Sequence, residues 1–246
     1  MGIGSEIVRQ GNWLFRWRSY LPLAVLVPLG IGVATMKWPF GSYRVHEYWE
    51  FLSLVVSLLG VAMRVITVAH TPRGTSGRNT HGQVAESLNT TGVYSMVRHP
   101  LYVGNFLIGL GVFLIPMEGW LVAIYTLSFC IYYERIMAAE EHFLRGKFGA
   151  AFNEWAVRTP AFVPNPRLWT RPALPFSLRN VLKREYTAFG LTILCHAMVE
   201  TMEHVVIDHT FPIEPVWAGM LGATGVIYVV LRALKRNTHL LQADGR

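Results

Sequence analysis

Charge is what this sequence has least of. Asp, Glu, Lys and Arg make up 15% of its 246 residues while 52% of positions are hydrophobic, against roughly 25% charged residues in ordinary soluble domains. That balance selects an integral membrane protein. Cysteine is scarce too: Cys130 and Cys195 both fall inside apolar runs, where a thiol acts as a small hydrophobe, so no disulfide framework is implied. No internal repeat or low-complexity tract is visible, and the lack of inverted repeats weighs against a two-halved transporter. Acidic residues number 15 against 22 basic ones, a net charge of +7. No stripe of aromatics runs among the basics, so nucleic acid is not an expected partner. The excess is read instead as membrane topology and attraction to anionic lipid head groups. The first apolar run has no small-residue cleavage site, and Glu6 stands where myristoylation prefers Ser or Thr, so an uncleaved first helix is expected.

What the chain does have is apolar length. Six runs stand out, at 20–36, 51–69, 101–115, 119–138, 186–207 and 216–234. Four of them approach the ~20 residues that a bilayer crossing needs. The run 101–115 is shorter and ends at Pro116. Only Met117-Glu118-Gly119 separates it from the next run, which predicts a tight helical hairpin, crossing fully or re-entrant, with Gly104, Gly109 and Gly111 permitting close backbone approach. All but three of the 22 Lys and Arg residues fall in loops on one expected side. The exceptions are Lys37, Arg44 and the intrahelical Arg64. By the positive-inside rule that side, with both termini, is expected to be cytoplasmic.

The polar stretch 71–89 carries turn signals at Pro72-Arg73-Gly74 and Ser76-Gly77, and it reads either as a plain connector or as a lid over a site. From 138 to 156, Leu144, Phe148, Phe152 and Trp155 recur at helical spacing, which predicts an amphipathic interfacial helix presenting Glu140 and Glu141 at its start. The Pro-rich segment 160–175 leads irregularly into the fifth apolar run.

Chemistry concentrates at Arg98-His99-Pro100. Pro100 suits the first turn of a helix, and the residue before it is pushed out of helical geometry. Backbone donors at that helix start attract anions; the plainer account is a basic anchor at the membrane boundary.

Around this point the residues resemble a family. The run Ser87-Leu88, Thr91-Gly92-Val93-Tyr94 and Val97-Arg98-His99-Pro100-Leu101-Tyr102-Val103-Gly104, followed by Glu140-Glu141-His142-Phe143-Leu144, Phe148-Gly149, Phe152, Trp155, Arg158 and Pro164, resembles the isoprenylcysteine carboxyl methyltransferase and phospholipid methyltransferase family over 80–164. The resemblance implies S-adenosylmethionine held among helices on the cytoplasmic side, without a soluble Rossmann domain, and a lipid substrate delivered from the bilayer. It makes Leu88, Tyr94, His99, Pro100, Tyr102 and Glu140 cofactor contacts, with Ser87, Asn89 and Leu101 beside them. Where the family's carboxyl methyltransferases place a substrate-binding Arg four residues before the matching Glu, this chain has Ile136, and Arg135 stands one position earlier.

A methyl sulfonium needs only an aligned nucleophile, so rate is expected from positioning and water exclusion. Arg98 and Arg158 are candidates to hold an anionic acceptor, and Arg135 to bind substrate. An amine acceptor would have to lose a proton, which makes Glu141 or a histidine a candidate base. Outside the family blocks, His196, Glu200, Glu203 and His204 share one face of the fifth run. Ionisable groups inside a membrane mark function by default. His196 and Glu200 are therefore read as substrate-facing, or as part of an interhelical polar network with Arg64 as a partner. No metal is expected, because the ligands come from one helix and no second cluster is apparent.

Taken together the sequence predicts an all-α polytopic bundle forming one membrane domain over 1–246. Residues 80–164 are its cofactor-binding core, 1–79 the N-terminal helices and loop, and 165–246 the C-terminal helices. The expected activity is S-adenosylmethionine-dependent methylation of a lipid-borne acceptor, most simply a carboxylate, otherwise a lipid phosphate or phospholipid amine. A sterol-type reductase using NADPH and a non-catalytic scaffold or transporter are the rivals. Partners are a membrane lipid or lipidated substrate and anionic head groups, with no obligate protein partner evident.

Overall fold

A computed structural model describes residues 2–72, 74, 83–211 and 214–242. The middle of the 71–89 stretch, including Arg73, Ser76 and Gly77, lies outside them, so the lid reading is addressed only at its two ends. The fold is all-α, with an isolated antiparallel pairing of Gly92 and Thr170 as the β-type contact among the described residues.

Among the described residues four helices have the length and apolarity to cross a membrane: α3 (Tyr43–Ala69), α6 (Gly119–Phe148), α8 (Leu178–Ile207) and α9 (Pro215–Asn237). The first apolar run is preceded by a separate helix. An amphipathic α1 (Ile3–Arg16) is followed by a 3-10 stretch, Leu21–Val25, with Pro22 in its first turn, and then α2 (Leu26–Ala34). The two arms meet at 85°, so α1 has the geometry of a helix lying along an interface while α2 dips inward. Trp13, Trp17 and Tyr20 are exposed around the bend, where amphipathic rings favour the head-group level.

The hairpin forms as composition predicts. A single turn, α4 (Val93–Met96), precedes α5 (Pro100–Leu114), which returns through Met117, at φ 57°, into α6. Helix α5 packs antiparallel on α3, and Gly60 and Gly104 set how closely. A Cβ on Gly60 would meet the Gly104 carbonyl and one on Gly104 the Gly60 carbonyl, so the backbones touch where any side chain would hold them apart.

The amphipathic helix expected from 138 to 156 is divided. Helix α6 runs unbroken through Glu140 and Glu141 to Phe148, Gly149 turns the chain at φ 55°, and a separate α7 (Ala150–Arg158) buries Phe152 and Trp155. At 1.5 Å per residue the 30 residues of α6 span about 45 Å, so the helix is longer than the ~30 Å of hydrocarbon it has to cross. Helix α8 is as long and runs antiparallel to α3. Three polar contacts mark the register between them: Arg64 with Glu185, Ser57 with His196, and His46 with Glu203.

Candidate active site

The two sequence blocks meet because the strand-like connection before α5 is stitched to the Pro-rich segment. Arg98 N donates to Pro160 O at 2.9 Å, His99 N to Ala161 O at 3.2 Å, and Asn165 N to Met96 O at 3.0 Å. The Trp155 indole donates to Tyr94 O at 3.0 Å, tying α7 to α4. Pro100 occupies the first turn of α5, where its missing N–H costs nothing. Arg98 and His99 are thereby held out of the helix and turned towards α6.

There they meet the paired carboxylates. Arg98 Nη1 donates to Glu141 Oε2 at 2.7 Å and His99 Nε2 lies 3.0 Å from Glu141 Oε1. The Tyr102 hydroxyl donates to Glu140 Oε2 at 3.1 Å, and His99 Nδ1 is 3.6 Å from the same oxygen. His99 also stacks on the Tyr102 ring, their centroids 5.6 Å apart. Burial works to lower the His99 pKa, but its contacts with Glu140 and Glu141 outweigh that and hold it above the ordinary imidazole value. Burial first, then the Glu140 charge, raises the Tyr94 hydroxyl, against a smaller opposing pull from Arg184, so it stays a neutral donor.

Tyr94, Arg98, His99, Tyr102 and Glu140 line a cavity of about 330 Å³, within the size range of pockets for small organic ligands. Ser87, Leu88, Asn89, Tyr94, His99, Pro100, Leu101, Tyr102 and Glu140 all reach it, as does Arg98. Other expected residues do not. Glu141 stands behind the wall, with both oxygens engaged by Arg98 and His99. Arg158 is on the exposed face of α7, its Nε donating back to Glu154 O at 3.2 Å. Arg135 is turned to α1, donating to Gln10 Oε1 at 2.9 Å and to Ile131 O at 2.8 Å, while its neighbour Ile136 takes the buried phase of α6. His196 and Glu200 lie further along α8 than the cavity reaches. His196 bonds Ser57 at 2.9 Å and stacks on Trp217, and Glu200 belongs to a separate buried cluster with His204 and Tyr43.

Several lining residues were not anticipated: Arg18, Asn105, Tyr133, Arg184, and the pair Arg64 and Glu185. Arg64 is not a partner of the His196 stripe. It spans to Glu185 by two hydrogen bonds, 2.8 and 3.1 Å, and donates to the Asn105 side chain. The available signal was a charge inside an apolar helix that required a compensating one on another helix. Glu185, an acid at the start of the fifth run among Lys183 and Arg184, was that partner.

A family model for phospholipid methyltransferases matches residues 49–151, which contain both sides of this hairpin and most of the cavity wall. The nickel-cobalt-cadmium resistance protein NccN of Alcaligenes xylosoxydans xylosoxydans is 34% identical over 176 residues, 69% of this chain and 81% of that one. The cobalt-zinc-cadmium resistance protein CzcN of Cupriavidus metallidurans is 34% identical over 131 residues, 53% of this chain and 58% of that one. Protein-S-isoprenylcysteine O-methyltransferase B of Arabidopsis thaliana is 30% identical over 155 residues, 59% of this chain and 74% of that one. No solved structure matches. With its apolar helices, its two motif blocks closed on one cavity, and these relatives across most of their lengths, the chain belongs to the phospholipid methyltransferase family of integral membrane proteins.

Proposed function

We propose that the chain transfers a methyl group from S-adenosylmethionine to a lipid-borne oxygen anion, a carboxylate in the simplest case. The observation that carries this reading is the single cavity on which Arg98, His99, Tyr102 and Glu140 converge from the two family blocks. Its donors and acceptors fit the cofactor. Arg98 Nε is buried without a partner and suits a carboxylate, Glu140 suits an ammonium or ribose hydroxyls, and Leu88, Pro100 and Trp155 offer apolar faces. When bound, the cofactor supplies an electrophilic methyl on a sulfonium.

The chain's own contribution is orientation and exclusion of water. Glu141 fixes Arg98 and His99 with one carboxylate; Tyr102 and His99 fix Glu140. Both Glu141 oxygens are engaged by Arg98 and His99, so the carboxylate expected as a base for an ammonium is committed to holding those two side chains. An acceptor already carrying an anionic oxygen needs no base, which is why we favour O-methylation over N-methylation. The cavity lies at the end of the bundle rich in Lys and Arg, which we assign to the cytoplasm together with both termini. We treat 80–164 as the cofactor core and the rest as its membrane framework. Two relatives are named for resistance to nickel, cobalt and cadmium and to cobalt, zinc and cadmium, and we extend to this chain a membrane role in that setting.

Detergent-purified protein with methyl-labelled cofactor is offered a prenylated cysteine and, separately, an aminophospholipid. An alkali-labile methyl ester on the first is the expected product. A stable N-methyl product on the second would replace the acceptor, and binding of NADPH with no binding of S-adenosylhomocysteine would overturn the reading.

A further inference from the structure

The end of the bundle remote from the cavity gathers ionisable side chains from three elements. His46 and Glu50 lie one turn apart near the start of α3, Glu200, Glu203 and His204 occupy the last turns of α8, and Glu214 immediately precedes α9. His46 is 18 residues from Arg64 along α3, or about 27 Å, so this cluster is separate from the methyl-transfer cavity. Apart from Glu50, its members fall outside the residues 49–151 matched by the family model.

Burial here is severe. His46 and Glu203 are 0% exposed, Glu200 2% and Glu50 6%. The ion pairs these acids make are to histidines: His46 Nε2 with Glu203 Oε2 at 2.8 Å, and His204 Nε2 with Glu200 Oε1 at 3.4 Å. The Tyr43 hydroxyl donates to Glu214 Oε1 at 2.8 Å and lies 3.3 Å from Glu200 Oε1. Even so, His46 Nδ1, Glu50 Oε1, Glu200 Oε2, Glu203 Oε1 and His204 Nε2 are buried without a hydrogen-bond partner. Clustered acids stripped of water repel one another, and each orphaned lone pair adds a cost. A cation between them answers both.

The geometry is that of a ligand set. One ligand atom each from His46, Glu200 and Glu203 lie within 4.8 Å of one another, as do those of Glu200, His204 and Glu214, so Glu200 is common to two triads. His204 has the supporting contact metal-bound imidazoles characteristically have: its Nδ1 is 2.7 Å from Asp208 Oδ2, leaving Nε2 to face the cluster. Two imidazoles with carboxylates and no thiolate form a borderline N/O set suited to zinc, cobalt or nickel, whereas magnesium and calcium prefer oxygen alone. We infer that the chain binds a divalent transition-metal ion between the start of α3 and the end of α8, with Glu200 as the shared ligand. This site stands independently of the methyl-transfer reading.

The test uses the full chain in detergent, stripped with a chelator and dialysed against Zn²⁺, with Co²⁺ as the spectroscopic probe. The expected result is saturable binding of one or two ions per chain, visible Co²⁺ absorption, a raised unfolding temperature, and no competition from excess Mg²⁺. Glu200→Gln is expected to abolish binding, and Arg158→Ala, on the exposed face of α7, to leave it intact. Because Glu200→Gln alters a buried group, Asp208→Asn provides a second reading: it touches no metal, and is expected to weaken binding on the order of tenfold or more while metal-free unfolding is unchanged. Absence of saturable binding in the parent chain, undiminished binding in Glu200→Gln or Asp208→Asn, or displacement by Mg²⁺ would each overturn the proposal. None of these readouts involves methyl transfer, so its failure and failure of that function are told apart.

Discussion

Arg64 meets Glu185 in a two-pronged ion pair across α3 and α8, Nε to Oε2 at 2.8 Å and Nη2 to Oε1 at 3.1 Å. The pair forms part of the cavity wall and is mostly buried, with side-chain exposures of 17% and 5%. Removing one partner leaves the other charge desolvated. Glu185→Leu is therefore expected to destabilise the protein by about 3 kcal/mol, and Arg64→Met with Glu185→Leu to recover part of that loss. Thermal unfolding of the three proteins in one detergent decides it.

Glu141 touches no cavity surface yet holds both Arg98 and His99. Glu141→Gln keeps the shape but weakens two charge-assisted contacts, and the resulting misplacement is expected to lower kcat/KM on the order of a hundredfold. Arg158→Ala and Arg135→Ala, whose side chains bond away from the cavity, are expected to stay within about twofold, since nothing they contact reaches the reacting groups. Steady-state methyl transfer by the three variants separates these outcomes.

His99 carries a pH signature. Its neighbours are Glu140, Glu141 and, beyond them, Arg98, and the two acids raise its pKa in the folded protein. A raised pKa stabilises the fold fully below the unfolded value of about 6.5 and is lost as pH rises through the folded value. The unfolding-temperature gap between the parent chain and His99→Gln is thus expected to be widest in mild acid and to shrink as the solution is made alkaline. A gap that grows with pH would contradict the contact with the two carboxylates.

The contact of Gly60 with Gly104 has no slack. Gly104→Val forces α5 away from α3 at a level where Arg64 also packs, and overpacking of this kind typically costs ~1–3 kcal/mol. A lowered unfolding temperature with weakened cofactor-analogue binding is expected, because α5 carries Tyr102 and α3 carries Arg64.

Much of the cavity was legible in the sequence because its chemistry is local. The segment from Val97 to Gly104 contains its own turn, helix start and charges, and Glu140-Glu141 follows at the return of a hairpin whose arms are visible from composition alone. What escaped depended on helix phase and on partners distant in the chain. Arg135 and Ile136 are adjacent, and only the rotation of α6 decides which one enters the core. Arg158 looks the same whether it orients the chain in a membrane or binds an anion. The His196 stripe was seen on one helix, but the antiparallel register of α3 that brings His46 to Glu203 and Arg64 to Glu185 has no marker in sequence. The run 20–36 is legible from hydrophobicity, which carries no information about the 85° bend setting it off from the amphipathic helix before it.

Helix α6 runs without a break from the hairpin turn past Glu140 and is longer than a hydrocarbon layer is thick, so Glu140 rides on a rod whose height follows how the apolar part matches the surrounding lipid. Longer acyl chains draw that carboxylate towards the oily layer; shorter ones lift it into water. The thickness of the host bilayer thereby becomes a control on the cavity's polarity, and reconstitution in lipids of graded chain length should show turnover passing through an optimum.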